Sequence, residues 1–428
     1  MSFQMRDGVL HVEGVPLPVI ADAAGTPAYV YAATALHDAA RSFVDALAPI
    51  ARKQLLYAVK ANPHPAILPT LAGFGFGADI VSGGELQAAQ AGGIAPADIV
   101  YSGLGKTREE MGAVLDAGIG RFNIEHAREG EVLSALACAR GMRATALLRV
   151  NPLVDAQTHA KISTALTDSK FGIPYPEAIG MYHRLAALPG LNLQGLAVHI
   201  GSQITDLSPL QAAYRRAGTL VAALRTDGHC ITHADLGGGL GVSYRAGAPG
   251  ADVAACGAMV ARETEGWDVT LLFEPGRFLV AQAGVLLTRV LWVKPGQPHP
   301  FVIVDAAMND LARPALYDAW HEFIAVRPRD REHFAAHVVG PVCESGDSFA
   351  HPRAIDRVEE GDLAVLATAG AYGAAMASTY NARALVSELW VDGDRFDVGS
   401  DRMPAALARP QRVPRWMAVS GQRAAVGR

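Results

Sequence analysis

"QLLYAVKA", residues 54–61, is the stretch on which the fold turns. Leu55 to Val59 are apolar without alternation, as in a parallel strand buried on both faces, and the run stops at Lys60. A doubly wound open sheet would more often place G-x-G-x-x-G after such a first strand; the turn here, "KANP" (60–63), has no glycine. Seven further apolar runs follow. They are "GFGADIVS" (75–82), "DIVYSG" (98–103), "RFNIE" (121–125), "ATALLRVN" (144–151), "LQGLAVHIG" (193–201), "THADLGGG" (232–239) and "VTLLFEPG" (269–276). Helical patterns such as "SGGELQAAQAGG" and "TREEMGAVLDAG" stand between them and close on Gly, as helix ends favour. Eight strands alternating with helices or loops over roughly 250 residues is the count of a TIM-like (β/α)8 barrel.

Both flanks read differently. "QMRDGVLHVEGVPL" (4–17) sets Asp7-Gly8 between extended segments, a hairpin signal. At the other end the helical period fades. "GVLLTRVLWVKPG" (284–296), "PFVIVDAAM" (300–308), "HVVGPVCESGD" (337–347), "GDLAVLATAG" (361–370) and "SELWVDGDRFDVG" (387–399) read as strands cut by Gly, Pro and Asp turns. The expected organisation is α/β plus all-β. Strands in 1–30 join the β domain, a barrel spans 31–282, and a C-terminal β-sandwich or barrel domain spans 283–428, ending in the tail "RVPRWMAVSGQRAAVGR".

Composition sets limits. Half of the 428 residues are apolar, enough for a sizeable core, and a net charge of −5 gives no reason to expect nucleic acid or an anionic membrane as partner. No apolar run approaches the roughly 18 residues of a membrane span, and the N-terminus lacks the basic-then-apolar order of a signal peptide, so the expected location is cytoplasmic. Cysteines at 138, 230, 256 and 343 show no C-x-x-C spacing, and the histidines at 64, 159, 183, 229, 233 and 299 show no ligand spacing; no metal is expected. Cys138, Cys230 and Cys256 read as buried packing residues.

The chemistry gathers where the apolar runs end, which in a barrel is the face that carries active sites. Lys60, Asp79, Arg149, His199, the Gly237–Gly238–Gly239 run, Glu274 and Arg277 all fall there. Each has an ordinary reading: a snorkelling lysine, a satisfied core histidine, a structural Glu–Arg pair. Together they point further. A lysine whose pKa is lowered by desolvation can attack an aldehyde, and glycines let backbone N–H groups approach a phosphate. Arg277 adds a charge-assisted contact, a carboxylate keeps a ring nitrogen protonated, and an imidazole stacks on an aromatic ring. That combination describes a pyridoxal 5'-phosphate site.

"YAVKAN" (57–62), "HIGSQI" (199–204), "DLGGGLG" (235–241), "EPGR" (274–277) and "VCESGD" (342–347) occur in the order found in the fold-type III pyridoxal phosphate decarboxylases, which the chain resembles from about residue 25 to 395. That family includes alanine racemase-like barrels and the ornithine, arginine and diaminopimelate decarboxylases. The resemblance implies that Lys60 is the lysine joined to the cofactor aldehyde and His199 the ring-stacking histidine. It places Ser202 and Gly237, Gly238 and Gly239 at the phosphate, and Glu274 at the pyridine nitrogen. Pro275, Gly276 and Arg277 complete that motif, with Arg277 near phosphate and substrate. It also implies a homodimer whose cysteine segment reaches into the partner's barrel.

"GPVCESGD" (340–347) sets Cys343 beside Glu344, where ornithine-type enzymes carry Cys-Asp. "SKFGI" (169–173), "ARPALYDAWHEF" (312–323) and "GAYGAAMASTYNAR" (370–383) resemble the diaminopimelate branch, in which Arg313 and Tyr317 match residues at the far end of the substrate and Tyr372 one shared by cofactor and substrate. Ala165 stands where that branch would place glycine, and "NARALVSELWVDG" (381–393) lacks its proline-rich wording. A substrate with a distal carboxylate and ammonium calls for an arginine, a hydroxyl and an acid, which Arg313, Tyr317 and Glu344 supply. The expected reaction is decarboxylation of meso-2,6-diaminopimelate to L-lysine and CO2, the last step of lysine biosynthesis. Cys343 would donate the proton, as a thiol of pKa about 8 suits a general acid at neutral pH. The alternatives are decarboxylation of ornithine, lysine, arginine or carboxynorspermidine on the same fold, racemisation, and a non-catalytic cofactor-binding role.

Overall fold

The computed structural model describes residues 2–156, 169–329 and 333–410; His159, Ala165 and the tail from 412 fall outside them. All eight apolar runs form strands: β1 Lys53–Ala58, β2 Phe76–Ile80, β3 Ile99–Tyr101, β4 Arg121–Ile124, β5 Ala144–Asn151, β6 Leu191–Val198, β7 His233–Asp235 and β8 Thr270–Phe273. Each pairs in parallel with the next, and β8 returns to β1 through Leu271 opposite Lys53, so the sheet closes into a barrel. Leu56, Val100, Leu147, Ala197 and Leu272, from five different strands, fill its interior as a cluster separate from the larger core beneath the helices.

The helices cover the barrel through apolar stripes. Ala33–Ala46 buries Leu36, Ala40 and Phe43, spaced one turn apart, and the Phe43 ring meets Phe76, Phe273 and Phe278 at 5.9–6.4 Å. Caps fix where helices begin on the barrel's functional face. Ser82 accepts from the Glu85 N–H ahead of Gly83–Ala91, and Thr107 with Glu110 forms a full capping box ahead of Arg108–Asp116. No helix among the described residues is long and apolar enough to cross a membrane.

The second large sheet runs Ser348–Asp356, His333–Val339, Phe301–Val304, Gly284–Lys294, Ala28–Ala32, Ser387–Asp392, Arg395–Ser400, with Leu363–Leu366 bridging Gly284–Lys294 to Phe323–Ala325. Ala28–Ala32 is buried throughout because its faces enter two different cores. Tyr29 and Tyr31 pack with Leu286 and Val290, whereas Ala28, Val30 and Ala32 pack with Val285 and Leu287. The Asp7-Gly8 hairpin forms as expected, both turn residues at positive φ, but it stays in a three-stranded sheet of its own. Leu10, Val12 and Val15 pack that small sheet onto the large one, and the Leu10 N–H donates to the Val326 carbonyl at 2.8 Å. The N-terminal strand that enters the large sheet is Ala28–Ala32.

Two expectations need correcting. Cys138 and Cys230 are exposed, on the outer face of the helix Ala127–Ala139 and in the loop after Ser208–Thr226; of the three cysteines read as packing residues, only Cys256 is buried. Strand Ser348–Asp356 escaped the sequence reading, because "SFAHPRAID" carries Pro352 and no alternating pattern.

Candidate active site

The carboxyl ends of the eight strands converge on a cavity of about 400 Å³. Lys60 enters from the turn after β1, Asp79 from β2, Ser102 after β3 and Asn123 from β4. Arg149 enters from β5, His199 after β6, Asp235 from β7 and Glu274 after β8; Lys170 and Phe171 close one side. Eight strands contribute eight polar side chains to one volume.

The floor is dominated by acid. Lys60 Nζ donates to Asp79 Oδ2 at 2.8 Å; Asp79 is fully buried and its other oxygen, Oδ1, has no partner among the described residues. Asn123 Nδ2 donates to Ser102 Oγ, Asp235 Oδ2 and Glu274 Oε1 at 3.0, 3.1 and 3.4 Å, while its own buried Oδ1 has no partner among the described residues. Burial, followed by the charges of Asp235 and Asp79, holds the Glu274 carboxyl well above the usual carboxylate range, and burial also raises Asp235. Both carboxyls therefore hold a proton more tightly than exposed carboxyls do. A cationic N–H placed against Glu274 would favour its ionised form.

Desolvation was expected to lower the pKa of Lys60, and the structure reverses this. Burial does oppose the ammonium and is the largest single influence, but Asp79, Tyr372 and Glu274 together outweigh it and raise the pKa. The 38 % of the Lys60 side chain that remains accessible faces the cavity it lines. Because the raised pKa keeps the free amine scarce at neutral pH, removing Asp79's charge should release it. Asp79→Asn is expected to speed trinitrobenzenesulfonate labelling of Lys60 in cofactor-free protein at pH 8 by about tenfold per unit of lowered pKa. Mass spectrometry of the Lys60 peptide reads this, and an unchanged labelling rate would count against Asp79 as the controlling group.

His199 is neutral, because burial and then the charges of Arg149 and Lys60 push its pKa well down; its Nδ1 accepts from the Gly238 N–H at 3.4 Å. The glycine run that follows β7 is a cradle cut to backbone dimensions. Gly237 and Gly239 have φ of +66° and +109°, and a Cβ on Gly238 would sit 2.1 Å from the Glu274 carbonyl oxygen. The backbone N–H groups of Gly239, Gly276 and Arg277 have no acceptor among the described residues. Pro275 and Gly276 lie against the Lys60 turn, the Pro275 carbonyl accepting from the Ala58 N–H at 3.1 Å. Gly238→Ala is expected to cost about 1–3 kcal/mol of stability by denaturant unfolding.

A second cluster adjoins the cavity. Arg277 donates through Nε and Nη2 to Ser202 Oγ at 3.2 and 3.0 Å and through Nη1 to the Tyr244 hydroxyl at 2.7 Å, with its guanidinium 4.8 Å from the Tyr372 ring. Arg313 heads the short helix Arg313–Tyr317, is 5 % exposed, and stacks 4.5 Å over Tyr244. Tyr317 ends that helix half-buried. Tyr372 joins the two clusters: it is held at positive φ, its N–H donates to the Ala61 carbonyl at 2.8 Å, and its hydroxyl influences Lys60. No carboxylate among the described residues pairs with Arg277 or Arg313; their partners are neutral.

Cys343 and Glu344 are exposed and do not line the cavity of their own chain. Their turn is shaped from below by Asp347, which is 3 % exposed and accepts from the Met308 and Val342 N–H groups at 2.6 and 2.7 Å. Tyr244, Asn123, Asp235 and His321 were missed as site residues. Only Asp235 had a local signal, its place directly before the glycine run.

This set fits pyridoxal phosphate. It offers a lysine on an acidic floor, a carboxyl ready to meet a ring N–H, free backbone donors at glycines too close-packed to carry side chains, and two guanidiniums without counter-ions. Residues 34–281 match the model of the pyridoxal binding domain of pyridoxal-dependent decarboxylases. The diaminopimelate decarboxylase of Zymomonas mobilis is 49 % identical over 97 % of this chain and 100 % of its own length. That of Pseudomonas aeruginosa is 48 % identical over 92 % and 94 %. The crystal structure of diaminopimelate decarboxylase from M. jannaschii in co-complex with L-lysine superposes with a TM-score of 0.91 at 33 % identity, covering 96 % of this chain and 98 % of that one. Fold, cavity and relatives agree: the chain belongs to the pyridoxal-dependent decarboxylases, in their diaminopimelate decarboxylase family.

Proposed function

We propose that this chain is a cytoplasmic homodimeric enzyme that converts meso-2,6-diaminopimelate to L-lysine and CO2 with pyridoxal 5'-phosphate, closing lysine biosynthesis. The observation that carries the reading is the pair of buried guanidiniums, Arg277 and Arg313, each held only by neutral partners. Two uncompensated buried cations call for anionic groups on what binds there. The cofactor phosphate and the substrate's distal carboxylate are such groups; ornithine and lysine would leave Arg313 unmatched.

When bound, the cofactor supplies an electron sink for the pair left at Cα as CO2 departs. Lys60 holds the cofactor at the end of β1, and Asp79 fixes the position of its nitrogen. Glu274, steadied by Asn123 and Asp235, would pair with the ring nitrogen, and neutral His199 would support the ring. Ser202, Arg277 and the N–H groups of Gly239 and Gly276 would hold the phosphate, with Gly237 and Gly238 shaping the turn that lets it approach and Pro275 setting the turn between Glu274 and Gly276. Arg313 and Tyr317 bind the distal carboxylate, and Tyr372 lies between cofactor and substrate. Cys343 and Glu344 come from the second copy: the thiol delivers a proton to Cα and the carboxylate binds the distal ammonium.

The test compares CO2 release from meso-diaminopimelate, L-lysine, L-ornithine, L-arginine and carboxynorspermidine. The expected result is a kcat/KM preference for diaminopimelate that Arg313→Ala lowers by about 10²–10³-fold, since truncating one partner of a buried charge pair costs on the order of 2–5 kcal/mol. A wild-type preference for any substrate lacking the distal carboxylate would overturn the reading.

A further inference from the structure

Arg313 has a partner that the proposed reaction does not use. His321 follows four residues after the helix Arg313–Tyr317 and is fully buried. Its Nδ1 lies 2.8 Å from the Ala367 carbonyl oxygen and its Nε2 lies 3.0 Å from Arg313 Nη1. These two contacts determine its protonation. A carbonyl can only accept, so Nδ1 carries the hydrogen; a guanidinium can only donate, so Nε2 is bare. The imidazole is therefore neutral and fixed in one tautomer, and burial, followed by the Arg313 charge, holds its pKa down to about 3.

Tyr244 completes the mount. Its ring stands edge-on to His321 with centroids 5.5 Å apart and lies 4.5 Å below the Arg313 guanidinium, while its hydroxyl accepts from Arg277. One tyrosine thus stands between the two cations and contacts both. The chemistry of the mount is informative. An aspartate or glutamate would hold Arg313 more tightly, but it would neutralise the guanidinium and compete with an incoming carboxylate. A neutral acceptor fixes the direction of one N–H and leaves the full charge for the ligand.

We infer that His321 is a positioning residue for substrate selection: its bare Nε2, anchored through the Ala367 carbonyl, orients Arg313 toward the distal carboxylate without cancelling its charge. This rests on the reading of Arg313 given above. His321 touches no reacting atom, so its removal should weaken recognition and spare chemistry.

The test is a double-mutant cycle on the holoenzyme with meso-diaminopimelate. His321→Asn can still donate to the Ala367 carbonyl but cannot reach Arg313; it is expected to raise KM about tenfold or more and to change kcat less than about threefold. His321→Gln, whose amide oxygen can accept from Arg313, should recover most of the lost KM. In an Arg313→Ala background His321→Asn should add nothing further. A fall in kcat at unchanged KM, or an undiminished His321→Asn effect in the Arg313→Ala background, overturns the inference alone. Should His321→Asn not fold, His321→Gln decides: a KM close to that of the wild type supports the inference, and a KM rise that persists undiminished in the Arg313→Ala background overturns it. If Arg313→Ala itself leaves KM unchanged, the reading of Arg313 as the carboxylate site falls, and this inference with it.

Discussion

Lys60→Ala is expected to leave the purified protein without the visible absorbance of its cofactor and to lower kcat by more than about 10³-fold. Among the described residues two amines line the cavity, and they differ. Lys60 sits on the turn after β1, paired with buried Asp79 and close to Tyr372 and Glu274. Lys170 is exposed beside Phe171, with its ammonium 5.2 Å from that ring. Lys170→Ala should therefore keep both colour and most of the activity. Absorption spectra of the two variants decide the matter. A Lys60→Ala protein that stays coloured and active, beside a bleached Lys170→Ala protein, would transfer the role to Lys170.

Cys343→Ala should keep the cofactor band and lose about 10²–10⁴-fold in kcat, the range contributed by a positioned general acid. Its location makes a sharper test possible. Cys343 is exposed on a turn that does not border its own chain's cavity, so under the proposed reading it serves a second copy. Lys60→Ala and Cys343→Ala, each inactive alone, should restore about a quarter of wild-type activity when co-expressed in equal amounts. Half of the dimers would be mixed, and each mixed dimer would hold one site with both native residues. No recovery would mean that thiol and lysine act within one chain.

The barrel was legible because its strands are apolar on both faces, and a run such as Leu55–Val59 admits few other fates. Strand Ser348–Asp356 was not legible; its residues answer to neighbours distant in sequence, and no local period marks them. The same division holds within the site. Lys60, His199 and Glu274 could be singled out because each terminates an apolar run. The behaviour of Lys60 could not be foreseen, because Asp79 reaches it across a strand pair and reverses the effect of burial. Tyr244 and His321 gave no signal in "SYRAG" or "DAWHEF". Their importance arises only where a loop after the glycine run meets a segment of the second sheet.

Ala28–Ala32 has a further consequence, for the order in which the molecule is built. Its two neighbours, Gly284–Lys294 and Ser387–Asp392, lie far downstream, the nearer by roughly 250 residues. At about 5–20 residues per second, a ribosome needs about 13–50 s to deliver even the first of them. During that interval the barrel strands can find one another, while "AYVYA" presents two unpaired edges and two apolar faces. The first strand of the large sheet to be synthesised waits longest for its partners. A nascent chain stalled before residue 284 would display a bare apolar ribbon beside a nearly complete barrel.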